Sequence, residues 1–314
     1  QRAKEIRAGG GHAHCGAMVY LGDNWPSKYR NQIFMNNVHG RRINNDRLTR
    51  KGSGYTASHE PDVMIAADPW FVGVSLAYGP DGAGYVSDFS DTGECHHTRN
   101  TRKHTGRIYK ITYGKPKPWQ GDINKLSNPE LLKLQSHRND WFVRHARRVL
   151  QERQADTSAL EKTLKTGISV PLRLRALWAL RVTGHLKEET LAGLLKDSSE
   201  HLRTWAIQLL SENQNPSETV LNEFVSMAKK DKSPLVRLYL ASAMQRLSVK
   251  QRVPVLKALL GHAEDEGDQN LPLMYWYATE PVVAADKKAA VQLLAACKIS
   301  KVRQFITRRM ATGP

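Results

Sequence analysis

The chain has no apolar run approaching the ~18 residues that a membrane-spanning helix needs, so no segment of it reads as transmembrane. Cysteine is scarce: three residues, Cys15, Cys95 and Cys297, among 314 exclude a disulfide-built scaffold. No two of them stand in Cys-x-x-Cys spacing, so the sequence shows neither a metal knuckle nor a haem-attachment motif. Acidic residues are also short, 30 against 47 Lys and Arg, for a net charge of +17. The excess is dispersed. Residues 1–120 carry 17 basic against 10 acidic side chains and the remainder 30 against 20, with no basic tail or block. That distribution gives no dedicated basic face, and nucleic acid is not the expected partner. The chain also lacks an initiator Met and a signal peptide, opening on Gln1 in a polar, glycine-rich stretch. Such an opening is expected of an internal or C-terminal piece of a longer protein whose leader or anchor, and any membrane association, lie elsewhere.

What is present divides near residue 116. Hydrophobic content of 40% and charged content of 25% are ordinary for globular chains, so both halves are expected to fold. Before the divide, Gly, Asn, Asp and His are dense and apolar runs are short. Residues 16–21, 32–38, 74–78, 83–87 and 107–113 have the length and aromatic content of strands. Turn formers separate them, notably Gly79-Pro80-Asp81-Gly82 and Gly52-Ser53-Gly54. Val74 to Tyr113 reads as strand, hairpin, strand, long loop, strand, and Cys15 to Asp68 as the unit before it. Antiparallel units of this kind suit the blades of a β-propeller. Two blades cannot close a ring, so further blades are expected upstream.

Gly114-Lys-Pro-Lys-Pro118 is the expected hinge, because its prolines forbid helix. Ser127-Asn-Pro-Glu130 then reads as a capping box, and the period becomes helical. An aliphatic residue, an Arg, and an Ala or Leu three to four positions on recur around Arg144, Arg175, Arg203, Arg237 and Arg303, with a weaker copy at Leu271–Ala278. Shorter amphipathic stretches, 189–195 and 220–228, lie between copies. Helix pairs that repeat in this way stack as a solenoid, and the pattern resembles HEAT repeats. The expected fold class is therefore multidomain, β then α. A partial propeller of about two blades spans residues 1–116, a linker 117–126, and a HEAT-like solenoid 127–314. The recurrent arginines are expected to pair with an acidic residue or helix end of a neighbouring repeat.

The strings GHAHCGAMVYLGDNWP, IFMNNVHGRRINND, KGSGY, DPWFVGVSLAYGPDGAGYVSDFSDTGECH and GRIYKITYG occur in this order between Gly11 and Gly114. They resemble the membrane-bound or sorbosone-type dehydrogenases abundant in Planctomycetes and Verrucomicrobia. The propeller of that family is similar to soluble quinoprotein glucose dehydrogenase. Its members often continue into HEAT repeats and a c-type haem domain. The resemblance implies an exported, periplasmic protein. It also implies oxidation of a sugar or polyol by pyrroloquinoline quinone, with electrons passed to haem in a domain outside this chain. The early blades that carry the family's catalytic His are absent, as is a Cys-x-x-Cys-His site, so no catalytic residue transfers onto a position here. The chain alone is expected to be inactive.

Loop residues that could carry chemistry are His12, His14, Cys15, His39, Asp88, Asp91, Glu94, Cys95, His96 and His97. Three readings stay open. Cys15 and Cys95 could form a disulfide between adjacent blades, which an exported protein permits. His12, His14, His39, His96 and His97 could bind a transition metal, since imidazole suits zinc, copper or iron. Or these side chains tie long loops to their own backbone, with the thiols free. Arg41, Arg42, Arg99 and Arg102 flank the region. In a quinone-binding propeller, arginines could hold the cofactor's carboxylates; otherwise they form a solvated basic loop. Trp25 and Trp70 each adjoin a proline and are expected to cap a blade core rather than stack on sugar. Two functions follow as expectations: a quinoprotein-like dehydrogenase, or a non-catalytic scaffold for polysaccharide or protein.

Overall fold

A computed structural model describes residues 13–90 and 104–312. The chain folds into two compact units. The first takes the chain up to Thr49, Thr56–Gly167 and Arg175–His185; the second takes Arg50–Tyr55, Ile168–Leu174 and the chain from Leu186 onward.

The first unit holds two antiparallel sheets, save for the hairpin tip at Arg50–Tyr55. Strands β1 (His14–Val19), β2 (Ile33–Asn37), β3 (Arg42–Lys51) and β4 (Gly54–Ile65) lie in the order β1-β2-β3-β4. Strands β5 (Gly73–Tyr78), β6 (Gly84–Asp88) and β7 (Arg107–Ile111) lie in the order β5-β6-β7. The five strands expected from apolar alternation are β1, β2, β5, β6 and β7, each with ends shifted by a few residues. β3 and β4 form a long hairpin that the apolar pattern does not announce. Most of β4 is exposed, so no buried face imposes alternation on it.

One aromatic core joins the two sheets: Met18, Tyr20, Trp25, Phe34, Ile43, Phe71, Tyr78 and Val86. Trp25 stacks on Tyr20 with centroids 4.5 Å apart and donates its indole N–H to the Ile111 carbonyl at 2.9 Å. Tyr20 donates to the Gly82 carbonyl at 2.7 Å and accepts from the Trp25 amide at 2.7 Å. Trp25 is thus a core cap, as expected of it. The sheets approach closely at Gly16, where φ is +62° and a Cβ would stand 2.3 Å from the Val74 carbonyl oxygen. Gly82, at φ +72°, closes the 79–82 turn.

Residues 114–118 carry no regular structure, as the prolines require. Helices α1 (Asn128–Lys133), α2 (Asp140–Glu152), α3 (Leu160–Thr166) and α4 (Val170–Val182) follow. The Glu130 carboxylate accepts the Ser127 amide at 2.7 Å, which closes the capping box the sequence announces. The start of α2 docks on the sheets. Asp140 donates its amide to the Leu21 carbonyl at 3.1 Å, and Asn139 donates its side-chain N–H to the Gly79 carbonyl at 3.0 Å. These contacts place the first helices in the same compact unit as the strands, so the compositional switch near 116 and the division between units do not coincide.

The second unit holds α5 (Glu188–Leu194), α6 (Glu200–Ser211), α7 (Glu218–Lys230), α8 (Pro234–Met244), α9 (Val249–Leu259), α10 (Leu271–Ala285), α11 (Lys287–Ala296) and α12 (Ser300–Ala311). Two rows result: α6, α8, α10 and α12 each touch the next, and so do α7, α9 and α11. From α7 onward, consecutive helices also pack across the rows. The recurring positions supply the seam, with Leu202, Ala206 and Ile207, then Val236, Leu240 and Ala241, then Val302 and Ile306 buried. Small residues at 206 and 241 let facing backbones approach. Among the described residues no helix is long and apolar enough to cross a membrane.

Candidate functional site

The densest gathering of polar side chains lies across the first sheet. Register sets it up: His14 stands opposite Asn37, and Asn37 opposite Arg42. With Asn44, two residues beyond Arg42, these side chains share the face opposite the aromatic core. His14 Nε2 lies 3.0 Å from Asn44 Oδ1 and 3.3 Å from Asn37 Nδ2. Asn37 donates to Asn44 Oδ1 at 2.9 Å, and Asn44 donates to Asp62 Oδ1 at 2.7 Å. Arg42 donates to the other oxygen of Asp62 at 3.0 Å. His59 bridges two carboxylates, with Nδ1 3.0 Å from Asp46 and Nε2 3.5 Å from Asp62.

The donors converge on Asp62, and the chain of amides ends in the exposed imidazole of His14. Asn37 and Asn44 are buried, so their amides are held in one orientation. His14 Nε2 donates to Asn44 when it carries a proton and accepts from Asn37 when it does not. Either state has a partner in place. This arrangement can present an oriented ring nitrogen to a hydroxyl or water.

On the opposite face, Asn36 and Asn45 point toward the core. Both are buried; neither amide atom of Asn36 has a hydrogen-bond partner among the described residues, nor does Asn45 Oδ1. Asn36 is wedged between Gly16 and Gly73, whose missing Cβ atoms would stand 2.9 Å and 2.4 Å from it. The four asparagines escaped the sequence reading. Their signal was legible: two Asn-Asn pairs, 36-37 and 44-45, placed symmetrically about the His39-Gly-Arg-Arg42 turn. Paired polar residues in strand context need a network or a ligand to satisfy them.

Of the expected site residues, the sheet brings together His14 and Arg42. His39 and Arg41 lie in the turn between β2 and β3, and Arg41 adopts a left-handed φ of +50°. Cys15 directs its thiol at the Gly73 carbonyl, 3.4 Å away, and burial pushes its pKa up. Asp88 is a loop anchor, accepting the Val72 and Ser90 amides at 2.9 Å each. His12, Asp91, Glu94, Cys95, His96, His97, Arg99 and Arg102 lie outside the described residues. Among the described residues no three His, Cys, Asp or Glu side chains converge as metal ligands. A quinone bearing several carboxylates needs guanidinium groups that are not already committed to an acid. Among the described candidates, Arg42 is already paired with Asp62.

The recurrent arginines of the helices have structural partners. Arg203 forms a bidentate pair with Asp231 at 2.8 and 2.9 Å, and Arg237 one with Asp265 at 2.8 and 2.5 Å. Arg173 pairs with Asp197 and Arg175 with Asp140. Arg303 donates to the carbonyls of Leu294 and Cys297, each at 2.9 Å.

Residues 2–115 match a family described as "Domain of unknown function (DUF7133)". No curated protein matches the chain. A crystal structure of an engineered protein is similar at 18% identity and a TM-score of 0.38, over 61% of this chain and 98% of that one. A likeness at that level says nothing of what this chain does.

Proposed function

We propose that the chain contributes β-propeller blades and a HEAT-type α-solenoid to an exported, periplasmic dehydrogenase of the quinoprotein type acting on a sugar or polyol. The helical repeats serve as connector or partner-binding surface. The observation that carries this reading is the pair of consecutive antiparallel meanders, β1–β4 and β5–β7, sharing one aromatic core. They coincide with the strings that resemble the sorbosone-type dehydrogenases. Blades of a propeller pack face to face in this way. The two rows of helices support a solenoid for the second unit.

In this reading His14 is a positioned hydrogen-bonding group for a hydroxylated ligand or an ordered water, not the catalytic base. The test is dye reduction with a panel of sugars and polyols, after reconstitution with pyrroloquinoline quinone, on the protein encoded by the complete reading frame. Turnover is expected there, and none from the present chain. Absence of quinone-dependent turnover from the complete protein sinks the redox reading. Turnover by the present chain would show that no further blades are required.

One observation favours the second reading, a non-catalytic scaffold for polysaccharide or protein. Arg42 and the recurrent helical arginines are consumed internally, which suits surfaces built for shape rather than chemistry.

A further inference from the structure

We propose that the α6–α8–α10–α12 row carries a docking groove for an extended acidic peptide segment of a partner protein, seated by one apolar side chain. The inference deepens the partner-binding role given above to the helical repeats and rests on it.

The first support is a ladder that the fold repeats. Burial aligns the four helices on Arg203, Arg237, Tyr275 and Arg303. Tyr275 takes the arginine's place, donating its hydroxyl to Asp265 at 2.6 Å beside Arg237. Two residues beyond each stands an aromatic, Trp205, Tyr239, Tyr277 and Phe305, and all four are partly or well exposed. A residue needed only for the seam would be buried, as the very next position is in all four helices.

The second support is a cavity of about 240 Å³ formed by α6, α8 and α10. Leu238, Tyr239, Ala243 and Met274 give it apolar walls, and Gln208 and Arg246 help complete the lining. Pockets for whole small molecules run from about 300 Å³ upward, so this one suits a single anchoring side chain.

The third support is charge. Arg246 is exposed and makes no side-chain hydrogen bond or ion pair among the described residues. A second depression on α12 is lined by Arg303, Gln304, Phe305 and Arg308, with Lys301 over the Phe305 ring. Neither lining includes an Asp or Glu. Arg246 at the apolar cavity and Arg308 on α12 fit an acidic segment with one hydrophobic residue, and the carboxylate of Glu280 on α10 is paired with Arg309. Duplex nucleic acid fits less well, because Arg203 and Arg237 turn inward to aspartates and leave no continuous cationic track.

The test is selection of a library of short random peptides on the intact protein, followed by titration of the enriched peptides. Enrichment of Asp and Glu around one Leu, Phe or Met is expected. Arg246→Glu should weaken binding of the enriched peptide about tenfold. Ser242→Trp, which fills the cavity, should do the same. Lys288→Glu makes the same charge change on α11, in the other row, and should alter binding less than about twofold. Circular dichroism and an unchanged unfolding midpoint establish that each variant is folded. No enrichment, enrichment of basic or uncharged sequences, or an equal loss with Lys288→Glu overturns the proposal. So does displacement of every enriched peptide by an acidic polysaccharide that binds more tightly. The dye-reduction assay reads a different property, so either result leaves the redox reading to its own test.

Discussion

Buried polar side chains in this protein are a gain only while they stay paired. Arg237 and Asp265 are nearly inaccessible, and Tyr275 donates to the same carboxylate. Removing the acid strands a buried cation, so Asp265→Ala should cost about 3–5 kcal/mol. The double replacement Arg237→Met with Asp265→Leu should cost far less, because no charge remains to be desolvated. Urea unfolding of the three proteins checks both statements. The tyrosines give a pH signature. Burial, reinforced by the nearby charge of Asp140 and opposed by Arg144, pushes the Tyr78 hydroxyl up to about 12. Burial raises Tyr275 further. Below the ordinary value of 10.0 both folded and unfolded chains hold these protons. Above it the unfolded chain releases them and the folded chain does not, so stability falls as pH rises through this window. Tyr78→Phe should flatten part of the loss. Its hydroxyl has no hydrogen-bond partner among the described residues, so the change should cost little at neutral pH. Thermal midpoints between about pH 8 and pH 11 give the comparison.

At the scale of elements, backbone geometry decides which replacements are tolerated. Gly16 combines a left-handed φ with a Cβ position 2.3 Å from the Val74 carbonyl oxygen. Gly16→Ala must push β1 away from β5 and should destabilise the first unit by more than about 2 kcal/mol. Protease resistance of the strands reports it. Pro254 lies inside α9 with its side exposed, where it removes an intrahelical hydrogen bond. Pro254→Ala should therefore stabilise the helix by about 1–3 kcal/mol, measured by denaturant unfolding. Strands with one buried face were legible because burial forces alternation. Strand β4 was not, since solvent accepts any polar residue and its sequence records only the Gly52-Ser53 turn.

For the whole molecule, part of the +17 charge is neutralised by internal pairing among the described residues. Much of the recurrent arginine is spent on aspartates and helix-end carbonyls. Duplex DNA binding should accordingly be weak, and the slope of log K against log salt should correspond to only a few released counterions. A steep slope in fluorescence anisotropy titrations would mean that a continuous cationic track exists.

The sequence by itself determined the order of things: strands first, a proline-stiffened joint, then helices repeating around Arg with a small or aliphatic residue after it. Local chemistry suffices there, because turn residues, capping boxes and side-chain period are written in neighbours. It also announced that the repeat arginines would find acids or helix ends, though not which ones, since Arg203 and Asp231 are 28 residues apart. The tertiary structure alone decided that Asn37 and Asn44 join His14 to Asp62. It alone turned Asn36 and Asn45 inward, and it docked α2 on the strands across the proline joint. Those outcomes depend on strand register and on which faces meet, and register is fixed by pairing between distant segments rather than by any residue's own preference.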